Sequence, residues 1–235
     1  MKIEPKLESI KMLLTNRVYL YRLLQNLFGN EPTLESLKII TNEHTRICFS
    51  LMLTEQSYSL LSGLDKLNEC AQYLYTAEEE FLIQCLTEYT RLFIGPTKLP
   101  APPWESVYTS KERLLFQEST LEVRRCYLNY KFIPLHYPSE ADDHIALELD
   151  FMHNLSTLIE TAFQEKNFSQ AIEIIKDQKV FLEKHLLNWV HHYVFDLEAA
   201  TSIPLYQGLA LLLKGFLEAD NDLIEEITDN LGSLQ

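Results

Sequence analysis

Lys11-Met-Leu-Leu-Thr-Asn-Arg-Val-Tyr-Leu-Tyr-Arg-Leu-Leu-Gln-Asn-Leu-Phe28 is the stretch that decides the fold class. Within it Leu13, Leu14, Val18, Tyr21, Leu24 and Leu27 recur at helical intervals. A turn of 3.6 residues gathers them into one apolar stripe. The spacing predicts a helix over 8–28, stopped by Gly29 and Pro32. The same periodicity extends outward, with one or two helices over 34–62 broken at Thr41 or Asn42. Thr76-Ala-Glu-Glu79 reads as a capping box, in which Thr76 takes the Glu79 amide and Glu79 reaches back. The helix it opens carries Phe81, Cys85, Tyr89 and Leu92 and ends before Gly95-Pro96.

Residues 95–108, Gly-Pro-Thr-Lys-Leu-Pro-Ala-Pro-Pro-Trp-Glu-Ser-Val-Tyr, hold four of the nine prolines and are expected to be non-helical. Helices are expected again over 111–116 and 119–130, and from a Ser139-Glu-Ala-Asp142 cap to about Gln164. A longer one over 169–200 carries Ile172, Ile175, Val180, Leu182, Leu186, Trp189 and Val194, and two more cover 204–218 and 221–230. The expectation is an all-α protein: a single globular domain over 1–235, about ten helices, with one proline-rich loop near 95–108.

Composition narrows the function. Six glycines stand where average usage near 7% would give roughly sixteen. That disfavours glycine-rich phosphate loops and hairpin-dense β folds. Twenty Lys+Arg against 34 Asp+Glu leave a formal charge of −14, which argues against nucleic acid and for a cationic partner. Cys48, Cys70, Cys85 and Cys126 form no C-x-x-C pair, so buried reduced thiols are expected. The start of the chain lacks the apolar core of a secretory signal, and the longest uncharged run, 199–213, is too short to cross a bilayer. A cytoplasmic protein, not inserted in a membrane, is expected.

Two constellations could carry chemistry. The stiff Leu-Pro-Ala-Pro-Pro-Trp run, with Trp104, Tyr108 and the preceding Leu92 and Phe93, suits a preformed apolar groove for a peptide; it equally suits a rigid crossover packing its aromatics inward. Glu140-Ala-Asp-Asp143-His144 opens a helix, with Glu140 and His144 expected on one face. From Phe132 to Glu165 there are seven acids (Glu140, Asp142, Asp143, Glu148, Asp150, Glu160, Glu165) and no Lys or Arg. That is either a well-capped helix start or an unneutralised field that attracts arginine. No nucleophile elbow, phosphate loop, dinucleotide fingerprint or H-E-x-x-H is present. His191 and His192 are adjacent and diverge on a helix, so no metal and no cofactor are expected. His185, four residues before Trp189, reads as helix packing, and Cys126 beside Arg125 lacks any further thiol device. An Asp143–His144 acid/base pair in a small hydrolase or nucleotide-processing enzyme is the rival, and it lacks a nucleophile. An all-α transcription regulator lacks a basic recognition helix.

Arg91-Leu-Phe-Ile-Gly-Pro96, Leu99-Pro-Ala-Pro-Pro-Trp-Glu-Ser-Val-Tyr108 and Leu115-Phe-Gln-Glu-Ser-Thr-Leu121 resemble the DmsD branch of the TorD/DmsD redox-enzyme maturation chaperones. Glu140-Ala-Asp-Asp-His144 matches that family's E-P-x-D-H signature, with Ala141 in place of proline. Phe181-Leu-x-x-His185-Leu-x-x-Trp189 and Tyr206-x-Gly-Leu-Ala-x-Leu212 are similar to its C-terminal half. The strong motifs cover about 90–215, while the first 75 residues resemble the family only in being helical. The resemblance implies a non-catalytic all-helical chaperone that binds the twin-arginine signal peptide of a molybdopterin-dependent reductase catalytic subunit until cofactor insertion and export. The twin-arginine translocase is a further implied partner. The implied peptide-binding residues are Leu92, Phe93, Pro103, Trp104, Tyr108, Asp143 and His144, to which the acidic cluster adds Glu140. Thr97 and Tyr108 stand where some members carry tryptophan, which implies a different leader preference. Guanine-nucleotide binding finds no phosphate-binding motif here.

Overall fold

The apolar stripe of the opening stretch is buried as one side of α1 (Ile3–Gly29), with Leu14, Tyr21, Leu24 and Leu27 all inside. The computed structural model describes residues 3–96, 98–134 and 140–233. After α1 come α2 (Leu34–Thr41), α3 (Glu43–Ser50), α4 (Tyr58–Thr76) and α5 (Glu78–Tyr89). They are followed by α6 (Glu105–Thr109), α7 (Glu118–Asn129), α8 (Ile145–Gln164), α9 (Phe168–Phe181), α10 (Leu187–Ala200) and α11 (Pro204–Gly232). Five-residue π-turns extend α5 over Thr90–Ile94 and join α9 to α10 over Leu182–Leu186. Among the described residues the fold is all-α, and extended pairing is confined to one antiparallel bridge, Trp104 to His144.

Caps set the boundaries. Thr33 and Ser36 close a capping box at α2, and Asn42 ends α2 and starts α3, its Oδ1 accepting from the Thr45 amide at 2.7 Å. Thr76 is no cap: it is the last residue of α4, its hydroxyl donates back to the Gln72 carbonyl, and Ala77 starts α5. Residues 51–57 are turns, so the helical reading of 34–62 ends at Ser50 and resumes at Tyr58.

Residues 105–108 are helical, because the last proline is Pro103 and Trp104 is the N-cap of α6. Residues 111–116 form turns in place of the expected helix, with Arg113 and Phe116 in the left-handed region at φ 52° and 59°. Ser139 lies outside the described residues; α8 begins later than expected, after the N-cap His144. The two C-terminal helices are one continuous α11, since Asp220 at their expected junction is used sideways. Asp220 accepts from Arg17 Nε at 2.6 Å and from the Tyr21 hydroxyl at 2.6 Å, while Arg17 Nη2 reaches Gln178 Oε1 at 2.5 Å. This buried network joins α1, α9 and α11, and removing Arg17 or Asp220 would leave the other an uncompensated buried charge.

Buried apolar residues from α1 to α11 form one contiguous cluster. Helix α4 lies close on α11 because both carry glycine at the crossing: a Cβ on Gly63 would stand 2.7 Å from Leu212 Cγ, and one on Gly215 would stand 2.8 Å from the Leu60 amide nitrogen. Val180 is the one member of the expected 169–200 face that points outward. The cysteines are free thiols, with Cys126 half-buried and the other three buried. Burial pushes Cys85 up to about 12 and Cys70 higher still. No helix among the described residues is long and apolar enough to cross a membrane.

Candidate functional site

The site is built from the proline-rich segment and the start of α8. The Gly95 N–H donates to the Thr90 carbonyl (2.9 Å) and closes the π-turn at Thr90–Ile94, and Gly95, at a φ of 93°, ends the helix. The turn drops Leu92 wholly into the core and leaves Phe93 half-buried against Phe28, Tyr89 and Tyr206.

Beyond the prolines the chain pairs briefly with residues 143–145. Glu105 N donates to the Asp143 carbonyl at 3.0 Å and Ile145 N to the Pro103 carbonyl at 2.9 Å. This clamp is why the two sequence motifs meet. Trp104 lies edge-on to His144, ring centroids 5.5 Å apart, and its indole N–H donates to Glu140 Oε1 at 2.9 Å. Glu140 and His144 are thus gathered around Trp104 by turns preceding α8, and not by a shared helix face as the spacing predicted.

Asp143 faces inward. It is fully buried, and Oδ2 accepts from the Ser106 amide at 2.8 Å, tying down the first turn of α6. His144 Nδ1 accepts from the Ala146 amide at 3.1 Å and caps α8, so the neutral ring carries its proton on Nε2. Tyr108, one turn after Trp104, stacks on Trp189 at 5.5 Å and meets Tyr193 edge-on at 6.2 Å; Tyr193 in turn contacts Phe28 beside Phe93. The structure therefore places Pro103, Trp104, Glu140, Asp143 and His144 in one cluster. Tyr108 flanks it, and an aromatic chain links Tyr108 to Phe93. Trp104, Tyr108, Glu140, His144 and Phe93 keep accessible surface; Leu92, Pro103 and Asp143 are buried beneath it.

A charged layer that the sequence reading missed supports this cluster from behind. Glu105 is buried with Oε2 2.9 Å from His185 Nδ1. Burial alone would lower the His185 pKa, but the neighbouring Cys126 thiol and the Glu105 carboxylate raise it to about 9. Glu148 is fully buried and accepts from the Trp189 indole N–H at 3.3 Å. Burial first, then the charges of Glu105 and Asp143, hold its carboxyl well above the usual range. His185, read as helix packing, is instead the counter-ion of Glu105, which lies 80 positions away along the chain. No local pattern could have paired them.

The acidic field expected over 132–165 is reduced at three of its seven acids. Arg124 of α7 grips Asp142 at 2.6 Å, Arg22 of α1 lies 3.5 Å from Asp150, and Glu148 is buried with its acid form favoured. The neutralising arginines come from elsewhere in the chain, so a local charge tally overstated the field. Glu140 is the carboxylate that remains at the rim beside Trp104.

The sequence profile described as nitrate reductase delta subunit matches residues 59–194, more than half of the chain. The chain belongs to the nitrate reductase delta subunit family. The matched span of this family runs from α4 into α10 and contains both arms of the Trp104–His144 clamp. Among curated relatives, the chaperone protein TorD of Aliivibrio salmonicida is 29% identical over 87% of this chain and 92% of its own. The probable Tat proofreading chaperone DmsD of Haemophilus influenzae is 33% identical over 57% of this chain and 59% of its own. The TorD of Vibrio cholerae is 23% identical over 94% of this chain and 97% of its own. An alignment over 94% of the chain cannot leave out its first 75 residues, so the likeness reaches further toward the N-terminus than the motifs alone indicated.

Proposed function

We propose that this chain is a cytoplasmic chaperone that binds the twin-arginine signal peptide of a molybdopterin-dependent reductase precursor and holds it until cofactor insertion and export. The observation that carries the reading is the partly buried Trp104, held between Glu140 and His144 on a clamp anchored by the buried Asp143. A rigid aromatic face beside a rim carboxylate with no cationic partner among the described residues, its Oε1 already accepting from the Trp104 indole N–H, suits a peptide with a cationic head and an apolar body. The names of the TorD and DmsD relatives support the same reading.

Phe93, Trp104 and Tyr108 supply the apolar contact, at ~25 cal/mol per Å² before ordering costs. Glu140 and the overall charge of −14 supply orientation and on-rate. Leu92, Pro103 and Asp143 act as positioning residues beneath that surface. No bond is made or broken, and handover to the translocase completes the cycle. The hydrolase alternative is not favoured, because Asp143 Oδ2 is committed to the Ser106 amide and His144 Nδ1 to the Ala146 amide. Neither atom is free to act as a base.

Calorimetric titration of a synthetic twin-arginine leader into parent and Trp104→Ala protein tests the reading. The variant should bind about tenfold or more weakly, at least ~1.4 kcal/mol, with the fold intact by circular dichroism. A folded variant that binds as the parent does would remove Trp104 from the interface.

A further inference from the structure

Beside Tyr108 the chain has placed an arginine of its own. Arg113 Cζ stands 5.4 Å over the Tyr108 ring, and its Nη2 approaches Asp196 Oδ2 of α10 at 3.4 Å. Tyr108, Lys111, Arg113, His192, Phe195 and Asp196 line a pocket of about 490 Å³ around this contact. An aromatic face with a carboxylate at its edge is a receptor for guanidinium, whose flat cation stacks and pairs at once. We propose that the Tyr108–Asp196 shelf is a subsite for an arginine side chain of the bound peptide, and that Arg113 occupies it in the free protein as a displaceable surrogate.

Three features make the occupant replaceable. The pair is long for a charge-assisted hydrogen bond, and the Arg113 side chain is 59% exposed, so its hold is weak. Arg113 and Phe116 are both at positive φ, a conformation unfavourable for side-chain-bearing residues, so the loop over 110–117 holds its guanidinium on a backbone that gains little from staying in place. The same loop exposes Leu114 and Phe116, and Phe195 is exposed on the pocket wall, so an apolar skin adjoins the cationic slot. That order, a guanidinium slot next to apolar surface, matches an arginine followed by apolar residues. Lys111 lines the same pocket but has no planar face to stack, so it is the poorer substitute.

The proposal rests on the leader-binding reading, and two measurements separate the fate of each. Arg113→Asn removes the guanidinium while tolerating the left-handed backbone. The leader should bind Arg113→Asn about three- to tenfold more tightly than the parent, and Asp196→Asn less tightly by a similar factor. A Lys-Lys leader should gain less from Arg113→Asn than the Arg-Arg leader. Independently, argininamide titrated into Arg113→Asn protein carrying 13C-labelled tyrosine should shift the Tyr108 ring signals. Lysinamide should not, and Asp196→Asn in the same background should abolish the shift. If argininamide leaves Tyr108 unmoved, the subsite is overturned even where the leader binds. If argininamide shifts Tyr108 but no leader binds the parent, the subsite stands and the leader-binding reading falls. Unchanged leader affinity in Arg113→Asn overturns the surrogate role.

Discussion

Against its own burial, His185 keeps its proton because of the Cys126 thiol and the buried Glu105 carboxylate, and the Glu105–His185 pair braces the main chain just behind Trp104. The consequence is a stability that depends on pH. The folded-state pKa of about 9 lies above the unfolded value of 6.5, so between them the native state binds more protons than the unfolded chain. The contribution is complete below about pH 6.5 and is lost as pH rises through about 9. Glu148, also raised, acts with the same sign. Urea denaturation from pH 6.5 to 9.5 should show stability falling by on the order of 1–3 kcal/mol, and Glu105→Gln should flatten that fall. A parent curve that is level or rising over this range would contradict the assignment. At this scale the sequence revealed which residues gather but not which way they face. Trp104, Glu140 and His144 were legible because two short motifs carry them. Asp143 reads identically whether it points to a ligand or to the Ser106 amide, and only the clamp decides.

Among elements, the crossing of α4 on α11 is the tightest constraint. Alanine is the better helix former, yet a Cβ at Gly215 would meet the Leu60 backbone at 2.8 Å. Gly215→Ala should therefore destabilise by ~1–3 kcal/mol in thermal melts, whereas Gly232→Ala, with nothing within 4 Å of its Cβ, should be neutral or slightly stabilising. Equal melting temperatures for the two variants would mean that the helices can part at no cost. Helices with a long apolar stripe, such as α1 and α5, were legible in the sequence. The errors cluster where a local pattern met a tertiary demand. Thr76-Ala-Glu-Glu79 fits a capping box, but α4 continues to Thr76. Lys111-Glu-Arg-Leu-Leu-Phe116 is composed of helix formers, but the chain turns there to bring Arg113 over Tyr108. Asp220 fell in the gap between two expected helices and is instead the buried partner of Arg17 within one continuous α11.

For the whole molecule, the formal charge of −14 is a long-range attraction for a cationic peptide, whatever the local pairing of Asp142 and Asp150. In the proposed function, the apolar surface of Trp104, Tyr108 and Phe93 then decides whether the peptide stays. The family was legible in the two motifs, while the support from Glu105, His185 and Glu148 was not, because it joins segments far apart in the chain. The most direct test is calorimetric titration of one leader peptide carrying Arg-Arg, Lys-Lys or Ala-Ala at the paired position, at low and at high salt. Binding should be tightest for Arg-Arg, weaker for Lys-Lys and weakest for Ala-Ala, with the differences shrinking as salt rises. Equal binding of all three peptides at both salt concentrations would contradict the proposed function.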